Sequence, residues 1–89
     1  MIGFRLYILN RNHDSIRDIE RLLQFLNDRF SNKYSLEIID VLENPEEAAI
    51  NFILATPTLV KITPKPIRKI IGDFSDIEKV LAGLGLHNR

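Results

Sequence analysis

Cysteine is absent from this chain of 89 residues. Its absence excludes disulfides, thiolate metal sites and thiol redox chemistry. The two histidines, His13 and His87, and the scattered carboxylates show no spacing that is typical of metal ligands. The sequence therefore predicts no metal and no other cofactor.

The chain also lacks an excess of charge of either sign, since 12 Lys and Arg residues balance 12 Asp and Glu residues. A zero net charge argues against broad nucleic-acid binding, and it weakens the self-repulsion that opposes self-association. No run approaches the roughly 18 consecutive apolar residues that a membrane-spanning helix needs. The N-terminal residues follow a strand pattern rather than that of a cleavable signal. We therefore expect a cytoplasmic protein that does not enter a membrane.

What the chain does contain is a regular series of strand and helix patterns. Apolar alternation predicts a strand over 4–10, and a stripe at helical spacing predicts a helix over 16–30 that begins at Asp14 or Ser15. A nearly continuous apolar run predicts a buried strand over 34–42. The remaining predicted elements are a helix over 45–53, strands over 58–63 and 67–71, and a helix from a Ser75 cap to about Leu84.

The order β-α-β-α-β-β-α predicts one α/β domain over residues 1–89. Its opening strand, helix and strand predict a right-handed parallel crossover. A hairpin and a last helix complete a thioredoxin-like arrangement. Enzymes of that fold need a thiol at the start of the first helix, and residues 11–14 supply none there. The sequence thus predicts a binding module and not an enzyme.

Three short features allow two interpretations each. His13 beside Asp14 suggests acid–base work, but a loop histidine near a helix cap is favoured, because adjacent residues seldom face one substrate atom. Pro57, just before a strand, fits a cis peptide that shapes a recognition loop as well as it fits a trans entry to the strand. Four cations within nine residues form either a solvated hairpin or a basic edge for an acidic partner: Lys61, Lys65, Arg68 and Lys69.

Five segments form a recognisable pattern that extends from residue 4 to about residue 86: LYILN at 6–10, the S-x-R start of a helix at Ser15 and Arg17, IIDVLENP at 38–45, ILATPTLVKITPKPIRKIIGD at 53–73 and EKVLAGL at 78–84. Together they resemble the KaiB family of clock proteins. The long segment at 53–73 is highly specific to that family.

The resemblance implies a regulator of a clock or of a stress response. KaiB proteins bind the N-terminal ATPase ring of phosphorylated KaiC, sequester KaiA, and compete with the kinase SasA, whose sensor domain is a related thioredoxin-like module. Contacts with such a partner are expected from five cations: Arg5, Arg17, Lys61, Arg68 and Lys69. A SasA-like interaction module is the alternative function, and a non-thiol enzyme that uses His13 is a third.

The resemblance also implies two packings of the second half of the chain. One is the thioredoxin-like order above, and the other has the order β-α-β-β-α-α-β and self-associates as a dimer or tetramer when the protein is free. Such packings must lie within a few kcal/mol of each other. Prolines that can isomerise and glycines with a permissive backbone occur in this half: Pro57, Pro64, Pro66, Gly72, Gly83 and Gly85.

Four positions depart from the family pattern. Lys65 interrupts a run that usually has three prolines, and Gly85 replaces a common Asp, which affects the balance between the packings. Glu37 stands where Lys is frequent, and Phe52 stands where a polar or basic residue is usual. Both places lie near the family's KaiC-facing surface, so they imply either weaker binding to a typical KaiC or a co-adapted partner.

Overall fold

The computed structural model describes residues 1–10, 12–72, 74 and 76–86. Within these ranges the order of elements is β-α-β-α-β-β-α, so the predicted thioredoxin-like order is confirmed. The strand β3 has the predicted bounds. The elements are β1 (Ile2–Ile8), α1 (His13–Phe30), β2 (Tyr34–Asp40), α2 (Pro45–Ile50), β3 (Thr58–Thr63), β4 (Arg68–Ile71) and α3 (Ile77–Gly83).

The strands form one sheet in the order β2-β1-β3-β4. β1 pairs in parallel with β2, as the predicted crossover requires, and β3 is antiparallel to both β1 and β4. β2 therefore lies at an edge of the sheet. Only Ile39 and Asp40 of this strand are buried, so the prediction of a buried strand was wrong. Its side chains at positions 35 and 37 point away from α1 and are exposed.

Side-chain caps set the starts of the two longer helices. Asn12, and not Asp14 or Ser15, caps α1, because its Oδ1 accepts a hydrogen bond of 2.9 Å from the amide of Ser15. Asp76 caps α3 in the same way through the amide of Lys79. The predicted cap, Ser75, lies outside the described residues.

The helix α2 ends three residues earlier than predicted. Asn51 is its C-cap, and the next residue, Phe52, has a φ of 55°, which a helix does not allow. The apolar residues at 52 and 53 continue a helical pattern in the sequence. Their backbone instead turns towards β3, with the amide of Ile53 bonded to the carbonyl of Ala48 at 2.9 Å.

Helices cover the two faces of the sheet unequally. α1 and α3 cover one face, where the larger core packs side chains of β1 and β3 against both helices. The opposite face carries a smaller core of Tyr7, Ile39 and Val60, and α2 adds the buried Ala48 there. The larger core contains Phe4, Leu6, Ile8, Ile19, Leu22, Phe25, Leu26, Leu59, Phe74, Val80, Leu81 and Leu84.

Two of the glycines that were predicted to permit a second packing adopt positive φ here. Gly72 (φ 97°) ends β4 and donates its amide to the carbonyl of Pro57 at 2.9 Å, and Gly85 (φ 72°) turns the chain after α3. Gly83 instead lies within α3. A Cβ at Gly83 would lie 2.9 Å from Cδ1 of Ile70, the end of a side chain that would have to shift to make room for it.

We expect Gly85→Ala to destabilise this packing by about 1–2 kcal/mol, because a Cβ is penalised in the left-handed region. Gly85→Asn should cost less, since Asn tolerates that region better. Urea denaturation of the three proteins, followed by circular dichroism, measures the difference. An alanine variant as stable as the parent would show that the turn does not need this backbone conformation.

Candidate partner-binding surface

The buried carboxylate of Asp40 joins the ends of β1 and β2. Its Oδ1 accepts hydrogen bonds from the amide of Asn10 at 3.1 Å and from the amide of Leu42 at 2.9 Å. The carbonyl of Asp40 also accepts from the side-chain amide of Asn44 at 3.1 Å. Asp40 thus fixes the loops that follow both strands. These loops lie at the end of the sheet where a thioredoxin carries its thiol, at the start of its first helix.

Large apolar side chains are exposed on α2 and in the loops at this end of the sheet. We call them the apolar surface, and their exposed fractions range from 50% to 91%: Leu9, Leu42, Ile50, Phe52 and Leu54. Leu9 and Leu54 also line a shallow groove of about 500 Å³ together with Val41 and Ile53. Exposed apolar side chains that lie together, as these do at the groove, are typical of protein–protein contact sites.

The loop between α2 and β3 supports the groove from one side. The hydroxyl of Thr58 donates to the carbonyl of Ala55 at 2.6 Å, and Ala55 and Thr56 line the groove. The peptide bond between Thr56 and Pro57 is cis. Of the two interpretations of Pro57, the structure therefore has the cis form beside a candidate recognition loop.

Arg5 was expected to contact a partner, and the structure places its guanidinium among groups of this chain. Nε lies 2.9 Å from Oε1 of Glu37, and Nη1 lies 3.5 Å from Oε1 of Glu47 and 3.4 Å from the hydroxyl of Tyr7. The hydrogen bond to Tyr7, followed by that to Glu37, raises the pKa of Arg5 above its ordinary value despite the opposing effect of burial. The charge of Arg5 is thus satisfied by groups of its own chain.

Lys61 is buried, with 3% of its surface exposed, so its assignment to an exposed group of cations was wrong. Its Nζ donates to the carbonyls of Pro64 at 2.6 Å and Pro66 at 2.9 Å. Those two prolines lie in the loop between β3 and β4, and the peptide bonds before both are cis. The ammonium group thus holds this loop against the strand instead of facing solvent.

The other predicted contact residues are exposed but are not brought together. Arg17 lies on α1, which covers the opposite face of the sheet from α2. Arg68 and Lys69 are neighbours on β4 and therefore point to opposite faces. The side chain of Lys69 reaches the carbonyl of Asn51. The structure thus contains no single basic patch formed by the five predicted cations.

Sequence reasoning missed the roles of Asp40 and of the apolar surface. An Asp at the end of a strand and before a turn is a known signal for side-chain bonds to backbone amides, and this signal could have indicated the role of Asp40. Leu54 is 91% exposed. Residues 53–55 are all apolar, so nothing in the sequence indicates that Leu54 is exposed.

The described residues also bear on other classes of site. Among residues 1–10, 12–72, 74 and 76–86, no three His, Cys, Asp or Glu side chains are grouped as metal ligands. His13 is exposed as the first residue of α1. No helix in that part of the chain has the length and apolar character needed to cross a bilayer.

Comparison with solved structures gives the class of the fold. The N-terminal domain of SasA from Synechococcus elongatus superposes with a TM-score of 0.78 at 22% identity, over 99% of this chain and 87% of that domain. Mitochondrial thioredoxin 3 from Saccharomyces cerevisiae superposes with a TM-score of 0.71 at 18% identity, over 94% and 76%. The chain is therefore a thioredoxin-like domain without the thiols of the enzymes.

Comparison of sequences gives the family. The family model described as the KaiB domain matches residues 5–86. The circadian clock oscillator protein KaiB of Rippkaea orientalis is 52% identical over 92% of this chain and 79% of that protein, and KaiB1 of Synechocystis sp. is 51% identical over 92% and 78%. The chain belongs to the KaiB family of non-enzymatic clock regulators, which confirms both the resemblance and the prediction that it is not an enzyme.

We expect Lys61→Met to destabilise the protein by about 1–2 kcal/mol, because two carbonyls lose a charged donor. Lys65→Met is the matched control. That lysine is exposed in the same loop, and its change should stay within about 0.5 kcal/mol. Urea midpoints of the two variants provide the measurement, and equal midpoints would contradict the internal role of Lys61.

Asp40→Ala should cost about 1–3 kcal/mol, since the amides of Asn10 and Leu42 lose their shared acceptor. Asp40→Asn retains a carbonyl oxygen at the same place and should cost less. Thermal unfolding of both variants tests the prediction. An asparagine variant that is as unstable as the alanine variant would show that the loops require the negative charge and not an acceptor oxygen alone.

Proposed function

We propose that this chain regulates a KaiC-type ATPase by docking on its ring and changing its phosphorylation cycle. The observation that supports this most is the apolar surface of a thiol-free thioredoxin-like domain in a member of the KaiB family. Leu9 of this surface lies in the loop between β1 and α1, just before the helix start at which thioredoxins carry their thiol. A domain of this kind retains the end of the fold at which thioredoxins contact their partners, but it lacks the thiol that would react there.

The apolar surface is suited to provide most of the binding energy. Burial of apolar area is the main favourable term in most protein–protein association, whereas exposed charges mainly set the rate and register of association. Phe52 and Leu54 are exposed by 77% and 91%, so docking removes much apolar area from water. Arg17 and Arg68 are assigned the secondary role of steering an acidic partner.

We further propose that the free chain also adopts the second packing and self-associates in it as a dimer or tetramer, while the ring selects the thioredoxin-like packing. A partner that binds only one packing has an apparent affinity reduced by the fraction of chains already in that packing. The solution mass of the free chain, measured with the secondary structure of residues 45–89, tests this. A monomer with the α2-β3-β4-α3 order in every condition would contradict it.

A SasA-like interaction module is the second candidate function, and the superposition on the N-terminal domain of SasA favours it. In that case the domain remains in the thioredoxin-like packing. A single set of amide signals, with no slow exchange, in the free chain would support this candidate. KaiA and a SasA-like kinase are further proposed partners, to be tested by competition for the ring.

We expect Leu54→Asp to weaken binding to a KaiC-type ring by at least about tenfold, because it places a charge in an apolar contact. Ile67→Asp is the control, since Ile67 is also exposed (56%) but lies in the loop before β4. Size-exclusion co-elution and titration with the ring, with and without nucleotide and phosphorylation, provide the measurement.

Two results would count against the proposal. Equal loss of binding in the Leu54 and Ile67 variants would show that the apolar surface is not the docking site. A parent chain that co-elutes with the ring in none of its nucleotide or phosphorylation states would contradict the function itself.

A further inference from the structure

Two cations that lie in register across the strands of the sheet contact opposite ends of α2. Arg5 on β1 pairs in register with Val60 on β3, and Val60 pairs with Lys69 on β4. Residues in register across a sheet point to the same face. Because Val60 belongs to the small core on the α2 side, Arg5 and Lys69 both point to that side.

Arg5 joins the first turn of α2 to two strands. Its Nη1 lies 3.5 Å from the carboxylate of Glu47, and its Nε lies 2.9 Å from Glu37 on the neighbouring strand. The Arg5 side chain is 26% exposed, and that of Glu47 is 38% exposed. The guanidinium therefore connects β2, β1 and α2 in a partly desolvated position.

Lys69 holds the other end of α2. Its Nζ donates to the carbonyl of Asn51, the C-cap residue, and lies 6.0 Å from the centroid of the Phe52 ring. A cation is favourable at the C-terminal end of a helix, and it is attracted to an aromatic face. Phe52 has a positive φ, which an aromatic side chain seldom adopts without support from its surroundings.

α2 needs such support because it is short. Isolated helices of fewer than about 12–15 residues are marginal in water, and α2 has six. Ala48 is the one buried residue of α2, whereas Ile50 is 73% exposed. Its position on the sheet therefore depends on a few contacts beyond its own hydrogen bonds.

We propose that Arg5 and Lys69 are positioning residues, which hold the two ends of α2 on the sheet and so present Ile50, Phe52 and Leu54 as one ordered surface. This assigns them a different role from direct contact with a partner. The link to partner binding rests on the proposed function, whereas the holding of α2 is a property of the chain alone.

Amide hydrogen exchange in the free chain is the first test. The amides of Ala48, Asn51, Phe52 and Ile53 are hydrogen-bonded in or just after α2 and report on its opening. We expect Arg5→Met and Lys69→Met each to raise their exchange rates about 2- to 5-fold, the range of one partly exposed ion pair or charged hydrogen bond. Exchange at amides in the middle of α1 should stay unchanged.

Three further variants separate positioning from a general loss of stability. Arg68→Met removes a cation from the opposite face of β4 and should leave α2 exchange unchanged. Arg5→Lys should restore part of the protection. Glu47→Gln should add little in the Arg5→Met background, because the bond that it breaks is already absent.

Titration with a KaiC-type ring is the second test. We expect Arg5→Met and Lys69→Met to weaken binding by no more than the factor by which they raise α2 exchange. Unchanged α2 exchange in both variants would overturn the proposal, and so would a loss of binding far larger than the change in exchange. If the parent chain does not bind the ring, the proposed function fails, and the exchange measurements still decide whether the two cations hold α2.

Discussion

The burial of β1 on both faces is the constraint on which the rest of the structure depends. Leu6 and Ile8 pack into the larger core with α1 and α3, whereas Tyr7 packs into the smaller core beneath α2. β1 also has a hydrogen-bonded neighbour on each side, one parallel and one antiparallel. A strand enclosed in this way fixes the register of β2 and β3, and the loops that follow β1 and β2 are in turn fixed by Asp40.

Two of the five cations that were expected to contact a partner instead stabilise the fold, because their side chains bond to other groups of the same chain. Lys61 bonds to the carbonyls of two prolines, and Arg5 contacts two carboxylates and a phenol. A charge removed from water needs partners close by, and both residues have them. The charges of these two residues are therefore partnered within the chain, which the charge pattern alone did not suggest.

The sequence was sufficient for the order of the elements and for the family, because periodicity and the segment at 53–73 are properties of neighbouring residues. It did not show that β2 is an edge strand, since an apolar run does not reveal how many neighbours a strand has. It placed Lys61 in solvent because a charged residue in a strand is usually exposed, and the loop that encloses its ammonium group is a tertiary feature. The apolar surface was missed for a related reason: a run such as 53–55 does not indicate which side chains the fold leaves uncovered.

Because helices cover the two faces of the sheet unequally, the side chains that stabilise the fold lie mainly on one face, and several exposed apolar side chains lie on the other. Most of the core lies beneath α1 and α3, while the α2 side carries a small core and several uncovered apolar groups. Exposed substitutions on that side therefore change little of the folding free energy. Leu42 and Leu54, which are 62% and 91% exposed there, illustrate this freedom: the uncovered side of the domain can vary while the architecture beneath it is kept.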